Sequence, residues 1–184
     1  LDLAVLEISP EHFPANHKQV NLECDEKPKT GHPVGAYGHP WGFSYTGTKG
    51  IISGATSEFS SEYLQTDAPI NSGNSGGPLI SLRTGKVLGV NTSSYDEDED
   101  QNTNFAELMI YACRVLKLLR EGKDPSPPKL PVVYLIEPLK DFELVISESY
   151  LGSDSIGFKP GDKIIGVIGQ GPVKNEAQLV HALR

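Results

Sequence analysis

Ser75 lies in a segment whose residue types could carry out nucleophilic catalysis. The residues around it form the run Gly73-Asn74-Ser75-Gly76-Gly77. Small neighbours let a substrate carbonyl approach a serine hydroxyl closely, and a turn rich in glycine can point several backbone N–H groups at one place. The pattern predicts Ser75 as a nucleophile, with the amides of Gly73 and Ser75 as its oxyanion hole.

Two other interpretations of this run remain open at the level of sequence. The run satisfies Gly-x-Ser-x-Gly, the nucleophile elbow of α/β-hydrolases, and His181 follows Ser75 in the chain order of those enzymes. That elbow leads from a strand directly into a helix, whereas Pro78 and the β-type pair Leu79-Ile80 follow here. The other interpretation is a glycine-rich surface turn that holds an ordinary serine.

Charge and composition exclude several classes of protein. The 184 residues include 16 Lys+Arg and 24 Asp+Glu, which gives a formal net charge of −8. Such an acidic chain is a poor candidate for binding nucleic acid, which needs clustered Lys and Arg. No apolar run approaches the roughly 20 residues that span a bilayer. Cys24 and Cys113 match no metal-ligand spacing, so we expect no metal and no other cofactor.

The elements that must position the serine follow from periodicity. The first 105 residues alternate short apolar stretches with Gly, Pro, Ser and Asn clusters, which is typical of an all-β domain. Residues 107–121 then carry apolar side chains at helical spacing. The strands expected before that helix are Leu3–Leu6, Val34–Tyr37, Ile51–Ile52, Leu79–Ile80 and Val87–Val90.

A proline-rich segment predicts the domain boundary. Residues 124–131 contain four prolines and are interpreted as a stiff linker, so we expect one domain at 1–123 and another at 132–184. The second domain is expected to be small and α+β, near the lower size limit for independent folding. Its predicted elements are strands at Val132–Ile136, Glu143–Ser147 and Lys163–Ile168, and a last helix capped by Asn175 and Gln178.

The chain resembles the trypsin-like serine proteases of the HtrA/Deg (protease Do) type. The segment Asp67–Leu79 is similar to that family's nucleophile segment nearly residue for residue, and Asp2–Leu6 is similar to the strand that carries the triad aspartate. Gly157–Ile165 resembles part of an HtrA-type PDZ domain. The resemblance implies a mainly β fold: a trypsin-like double β-barrel, of which the second barrel is complete and the first mostly absent, followed by an incomplete PDZ domain.

The same resemblance implies a serine endopeptidase that acts on unfolded or misfolded proteins in protein quality control. It makes Asp2 the acid that orients a catalytic histidine, although an acid so near a chain end could also simply face solvent. It makes Gly89–Asn91 the strand that pairs with substrate. Pro69 occupies the position where an acid would select Lys or Arg, and Ile70 and Val90 favour cleavage after small apolar residues.

The five histidines do not supply the general base in the family's order, in which histidine precedes aspartate. All five, His12, His17, His32, His39 and His181, follow Asp2. We therefore expect the base to lie upstream of a chain that is truncated at both ends and inactive by itself. The alternative is a catalytically inactive peptide-binding fragment or a pseudoprotease.

Partners and location follow only from the resemblance. It implies unfolded polypeptide substrates, peptide C-termini at the PDZ groove, a homotrimer of the full-length protein, and a location in the periplasm, cell envelope or an organelle. The acidic run Asp96–Asp100 is either a solvated loop or a Ca²⁺ ligand. Cys24 and Cys113 by themselves neither support nor exclude an oxidising compartment.

Overall fold

The computed structural model describes residues 3–58, 61–94, 103–134, 144–150 and 157–184. The chain divides into two compact units, the first made of Leu1–Thr56 and Glu62–Asp124 and the second of Ser57–Ser61 and Pro125–Arg184. The structure is mainly β, as the spacing of apolar stretches and turn residues predicts. Asp2 and the acidic run 96–100 lie outside the described residues.

The first unit contains a closed six-stranded β-barrel, in which the strands pair in the order β1-β2-β3-β6-β5-β4. Alternate side chains of each strand point inward and form the main core, because successive residues of a strand face opposite ways. The strands are β1 (Pro33–Gly38), β2 (Thr46–Glu58), β3 (Ser61–Thr66), β4 (Pro78–Ser81), β5 (Val87–Ser94) and β6 (Asn104–Leu108). The core cluster includes Val34, Ala36, Ile52, Leu64, Ile70, Leu79, Leu88, Ala106 and Leu108.

Four of the five strands expected in this unit lie within β1, β2, β4 and β5. The fifth expectation is wrong, because Leu3–Leu6 forms no strand. A strand needs a neighbour to satisfy its backbone N–H and C=O groups, and in the described part of the chain Leu3–Leu6 pairs with none. The side chain of Leu6 is correspondingly 84% exposed.

A helix, α1 (Met109–Arg120), follows β6 without a loop. It begins two residues later than the spacing predicts, because Glu107 and Leu108 still pair with β5. Its buried residues Met109 and Ala112 pack against the base of β5 at Val87. Lys117 and Arg120 lie in its last turn, where positive charge is favourable.

Cys24 and Cys113 form a disulfide between the segment before β1 and helix α1. Their Cα atoms are 5.8 Å apart, inside the usual range for a disulfide. Beside it, the Glu23 N–H donates to the Val87 carbonyl at 2.9 Å, and Leu22 forms a parallel bridge with Val87. The segment before β1 is therefore fixed to the barrel both covalently and by backbone pairing.

The second unit is α+β. A three-stranded sheet contains β7 (Val132–Tyr134), β8 (Leu144–Ser149) and β9 (Lys163–Ile164), and a two-stranded sheet contains β10 (Gly166–Val167) and β11 (Gly171–Pro172). The expected cap of the last helix, α2 (Glu176–Leu183), is confirmed, since Asn175 Oδ1 accepts from the Gln178 N–H at 2.8 Å. The PDZ assignment of this unit stays a prediction. Of the helices in the described residues, none is both long and apolar enough for a bilayer span.

Candidate functional site

The nucleophile loop is the connection 67–77 between β3 and β4. Its start is fixed to β2, because Asp67 Oδ1 accepts from the Ile51 N–H at 2.6 Å and Thr66 Oγ1 donates to the Ile51 carbonyl at 2.7 Å. Asn104 Oδ1 of β6 accepts from the Ile70 N–H at 3.2 Å. Polar side chains thus satisfy loop backbone groups that approach the core, and they anchor the loop to two strands.

Ser75 lies exposed between two tight turns of this loop. The Asn74 N–H donates to the Asn71 carbonyl and the Gly77 N–H donates to the Asn74 carbonyl, both at 2.9 Å. The Ser75 hydroxyl donates to the Thr92 carbonyl of β5 at 2.9 Å. The strand β4 follows the loop, so the α/β-hydrolase elbow, which requires a helix at that point, is excluded.

The amides of Gly73 and Ser75 are available to a ligand. Among the described residues, neither of these N–H groups donates to a protein acceptor. The carbonyl of the preceding Ser72 accepts from the Trp41 N–H at 2.9 Å, and the Gly73 carbonyl accepts from the His39 N–H at 3.0 Å. Since the C=O and N–H of a trans peptide point in opposite directions, the bond to Ser72 turns the Gly73 N–H away from residue 41.

Gly73 must be glycine for two reasons. Its φ of +105° lies in the region that side-chain-bearing residues rarely adopt. A Cβ built at this position would also collide with the His39 carbonyl oxygen. The close approach of residues 39–41 to the loop therefore depends on the absence of a side chain at position 73.

On its other side the nucleophile loop is bonded to β5. The Gly76 N–H donates to the Asn91 carbonyl and the Asn91 N–H donates to the Gly77 carbonyl, both at 2.8 Å. Gly89 and Val90 pair with β4 on one side and β6 on the other. The expected pairing of Gly89–Asn91 with a substrate does not fit this arrangement, because both edges of the stretch are already occupied.

The free edge of β5 begins one residue later. The ladder between β4 and β5 ends with Pro78 opposite Val90, whereas β6 continues to pair as far as Ser94. Within the described ranges, Thr92–Ser94 therefore has a neighbouring strand on one side only. Thr92 is also the residue whose carbonyl contacts the Ser75 hydroxyl.

The two apolar side chains expected to contact substrate are placed elsewhere. Ile70 packs in the barrel core and is 3% exposed, so it leaves little surface for a ligand. Val90 packs with Val87 and Met109 on the side of the sheet that α1 covers. Of the three residues that bear on the expected cleavage preference, Pro69, Ile70 and Val90, only Pro69 is exposed.

No imidazole nitrogen in the described part of the chain is hydrogen-bonded to Ser75. The His39 ring instead packs edge-on against Tyr45, with centroids 5.6 Å apart. His17 Nδ1 lies 3.0 Å from the Pro14 carbonyl, His12 ends a short 3-10 turn, and His181 lies on α2. Nor do three His, Cys, Asp or Glu side chains meet there as a metal site requires.

His32 and Ser81 form a separate His–Ser pair, with Nε2 and Oγ 2.7 Å apart. The Ser81 oxygen already accepts from the backbone N–H groups of Arg83 and Thr84, so its hydrogen is donated to His32. Burial, and then the charge of Arg83, lower the pKa of His32, which agrees with a neutral ring. Ser81 is 1% exposed, so this hydroxyl cannot reach a substrate.

Sequence reasoning missed Trp41 and Thr92, and it named Asn91 as a residue that pairs with substrate but missed the role of its side chain. Trp41 and Thr92 act through backbone groups, which leave no signal in residue type. Asn91 is 1% exposed and its Nδ2 donates to the Asn74 and Pro78 carbonyls at 3.4 Å. The signal that could have found it is an asparagine inside an apolar strand, since a buried amide needs partners.

Comparisons with known proteins agree with this architecture. A family model described as a trypsin-like peptidase domain matches residues 1–90. A probable periplasmic serine endoprotease, DegP-like, from Hahella chejuensis is 34% identical over 185 residues, which cover 91% of this chain and 38% of that protein. The serine endoprotease DegS of Escherichia coli is 37% identical over 136 residues, covering 66% of this chain and 36% of that protein.

A solved structure of an HtrA-type protease is also similar to this chain. The HtrA-type protease AlgW with a tripeptide superimposes with a TM-score of 0.70 at 25% identity, covering 89% of this chain and 60% of that one. The chain spans well under half the length of the curated relatives it matches.

Proposed function

We propose that the chain contributes the nucleophile and oxyanion hole of an HtrA-type endopeptidase. Its homology to the HtrA, DegP and DegS serine proteases and the match of residues 1–90 to a trypsin-like peptidase domain support this proposal. The observation that carries the proposal is the loop around Ser75, where the exposed serine lies next to two N–H groups that have no acceptor among the residues that the structure describes. The Ser75 oxygen attacks the scissile carbonyl, and the Gly73 and Ser75 amides stabilise the negative charge on the carbonyl oxygen.

The general base is proposed to be none of the five histidines. The Ser75 hydroxyl donates to a backbone carbonyl, which cannot take its proton, so serine alone is a weak nucleophile. Asp2 remains our proposal for the acid that orients the base. The chain by itself is therefore expected to be inactive.

The substrate is proposed to be an extended, unfolded polypeptide that adds to the β5 edge at Thr92–Ser94. Strand addition uses main-chain hydrogen bonds, which a folded substrate has already formed internally. We place the half of the substrate that precedes the scissile bond on this edge, next to Ser75. Pro69, exposed where a basic side chain would need an acid, supports cleavage after small apolar residues.

The compartment is proposed to be oxidising, such as the periplasm or cell envelope. The Cys24–Cys113 disulfide supports this, since disulfides persist in oxidising environments and are rare in the cytosol. Relatives of the chain are described as periplasmic serine endoproteases. PDZ-mediated binding of peptide C-termini and assembly into a trimer remain proposals from the family resemblance.

Fluorophosphonate labelling followed by intact-mass analysis tests the catalytic proposal. We expect the protein in its natural length to be labelled and its Ser75→Ala variant not to be. Absence of an adduct on the natural-length protein would overturn the assignment of Ser75 and favour a peptide-binding function without catalysis. The 184-residue chain is expected to stay unlabelled, and a stoichiometric adduct lost in Ser75→Ala would show that one of its own residues serves as the base.

A further inference from the structure

Ring side chains occupy every second position where the chain leaves β1 and enters β2: Tyr37, His39, Trp41, Phe43 and Tyr45. Three of them expose most of their surface, 68% for Trp41, 66% for Phe43 and 62% for Tyr45. These three residues are called the aromatic surface below. Single exposed apolar side chains need no explanation, but three large exposed rings within five residues are a candidate binding surface.

The aromatic surface is held in place from below. The rings of Tyr37 and Tyr45 stack at 5.8 Å with 14° between their planes. Tyr37 in turn lies over Gly35 and Gly47, where a Cβ would meet its ring. A ring that is already held, as that of Tyr45 is, loses little conformational freedom when it binds a ligand, which suits this part of the surface to recognition.

The same segment is continuous with the oxyanion loop. The Trp41 N–H donates to the Ser72 carbonyl and the His39 N–H to the Gly73 carbonyl. Trp41 has a φ of +52°, and no other described residue apart from glycines has a positive φ. Such a backbone is unfavourable for a tryptophan, and the bond to Ser72 helps to hold it. The position of the aromatic surface is thus coupled to the catalytic loop.

The contacts on the two sides of the nucleophile loop indicate which part of the substrate would lie over the aromatic surface. Thr92 contacts Ser75 from β5, and residues 39–41 contact the loop from the opposite side, at Ser72 and Gly73. A peptide whose first half pairs with Thr92–Ser94 must therefore continue past Ser75 toward Trp41. The residues after the scissile bond then lie over the aromatic surface.

We propose that Trp41, Phe43 and Tyr45 bind the first residues after the scissile bond and select apolar or aromatic side chains there. This inference rests on the proposed function, because it uses the direction in which the substrate crosses Ser75. An unfolded polypeptide fits the surface, since unfolding exposes the apolar side chains that a folded substrate buries.

Trp41 is the only tryptophan of the chain, so its fluorescence reports directly on this surface. The 184-residue chain would be titrated with two acetylated, amidated octapeptides that share Ala-Ala-Thr-Val and continue with either Phe-Leu-Phe-Ala or Ser-Gly-Ser-Gly. We expect a saturable blue shift of the emission and reduced acrylamide quenching with the first peptide, and about tenfold weaker binding of the second.

Variants separate this surface from general effects. Phe43→Ala and Tyr45→Ala are expected to weaken binding of the Phe-Leu-Phe-Ala peptide about fivefold or more, whereas Leu82→Ala, at a 43% exposed apolar residue after β4, leaves it unchanged. Far-UV circular dichroism would establish that each variant is folded. Equal affinity for the two peptides, or an unchanged affinity in both aromatic variants, would overturn the proposal.

Two further outcomes also decide the matter. A blue shift that appears with rising chain concentration and no peptide would assign the surface to a second copy of the chain, against the proposal. Failure of fluorophosphonate labelling in the natural-length protein, with the peptide result unchanged, would remove catalysis from Ser75 but leave the peptide-binding surface.

Discussion

Gly73 is the residue on which the geometry beside Ser75 depends most directly. It combines a left-handed backbone with a position that leaves no room for a side chain against the His39 carbonyl. Its amide is one of the two N–H groups that we propose as the oxyanion hole. Sequence alone predicts the amide's role from the glycine-rich run, but it does not show the neighbour that excludes a Cβ.

We expect Gly73→Ala to lower kcat of the natural-length protein by about 10²–10³, because the clash with residue 39 displaces the oxyanion amide. Steady-state hydrolysis of an unfolded protein substrate would measure this. Gly85→Ala is the matched control: it also has a positive φ, of +73°, but no atom lies within 4 Å of the added Cβ. It should cost about 1–2 kcal/mol of stability and leave kcat unchanged. A wild-type kcat in Gly73→Ala would show that this amide is not part of the hole.

At the scale of elements, the segment before β1 is not itself a strand of the barrel, but contacts around Cys24 hold it against the barrel. Just before Cys24, the Glu23 N–H donates to the Val87 carbonyl and the Val87 N–H donates to the Asn21 carbonyl, and Glu23 also forms an ion pair with Lys86 at 2.9 Å. This ion pair lowers the pKa of Glu23 and raises that of Lys86, but solvent still reaches both side chains, so the pair contributes little stability. The Cys24–Cys113 disulfide therefore adds a covalent constraint to the backbone pairing of the segment with Val87.

We expect reduction of the disulfide to destabilise the first unit by about 2–4 kcal/mol, because it closes a long loop in the unfolded chain. The cysteines are 89 positions apart. Thermal unfolding with and without a reductant would measure the change, and the double variant Cys24→Ser, Cys113→Ser should melt at the lower temperature under both conditions. The untreated protein would also be alkylated and its mass measured. Detection of two free thiols would contradict the pairing.

Strand β5 shows where prediction at the element scale stops. The apolar run Val87–Val90 predicts the strand correctly, yet the residues that face a substrate depend on which neighbours occupy each edge. Only the register, with Pro78 opposite Val90, shows that the free edge starts at Thr92. Pairing between distant strands is not encoded in any local pattern.

For the whole molecule, the proline-rich segment after α1 separates two units with separate cores. Residues 121–124 are exposed, as is Lys129. The buried cluster of the second unit contains Leu144, Val173 and Leu179 and that of the first lies in the barrel. Each unit thus has its own apolar interior, which is what independent folding requires.

Apart from cuts after Lys18, Lys29 and Lys174, which are also exposed and outside helices and strands, we expect limited digestion with trypsin to cut first after Lys123 or Lys129, because exposed segments without secondary structure are the preferred sites of cleavage. Mass analysis over time would show two fragments, and the larger would keep the Cys24–Cys113 disulfide. The double variant Lys123→Gln, Lys129→Gln should resist this first cut. Earlier cleavage inside the barrel, for example after Lys86, would contradict the independence of the units.

The sequence by itself determined the β-rich class, the helix after it and the proline-rich segment, and it predicted Ser75 as the proposed nucleophile within a glycine-rich run. These follow from residue type and short-range periodicity, which local physics controls. The tertiary structure decided what lies opposite what. Several features depend on contacts between residues far apart in the chain: the bonds from His39 and Trp41 to the nucleophile loop, the free edge at Thr92 and the Cys24–Cys113 pair. The same holds for Leu3–Leu6, which pairs with no strand in the described residues. Such contacts depend on the closure of the barrel and on backbone groups that every residue shares. Residue types alone therefore do not predict them.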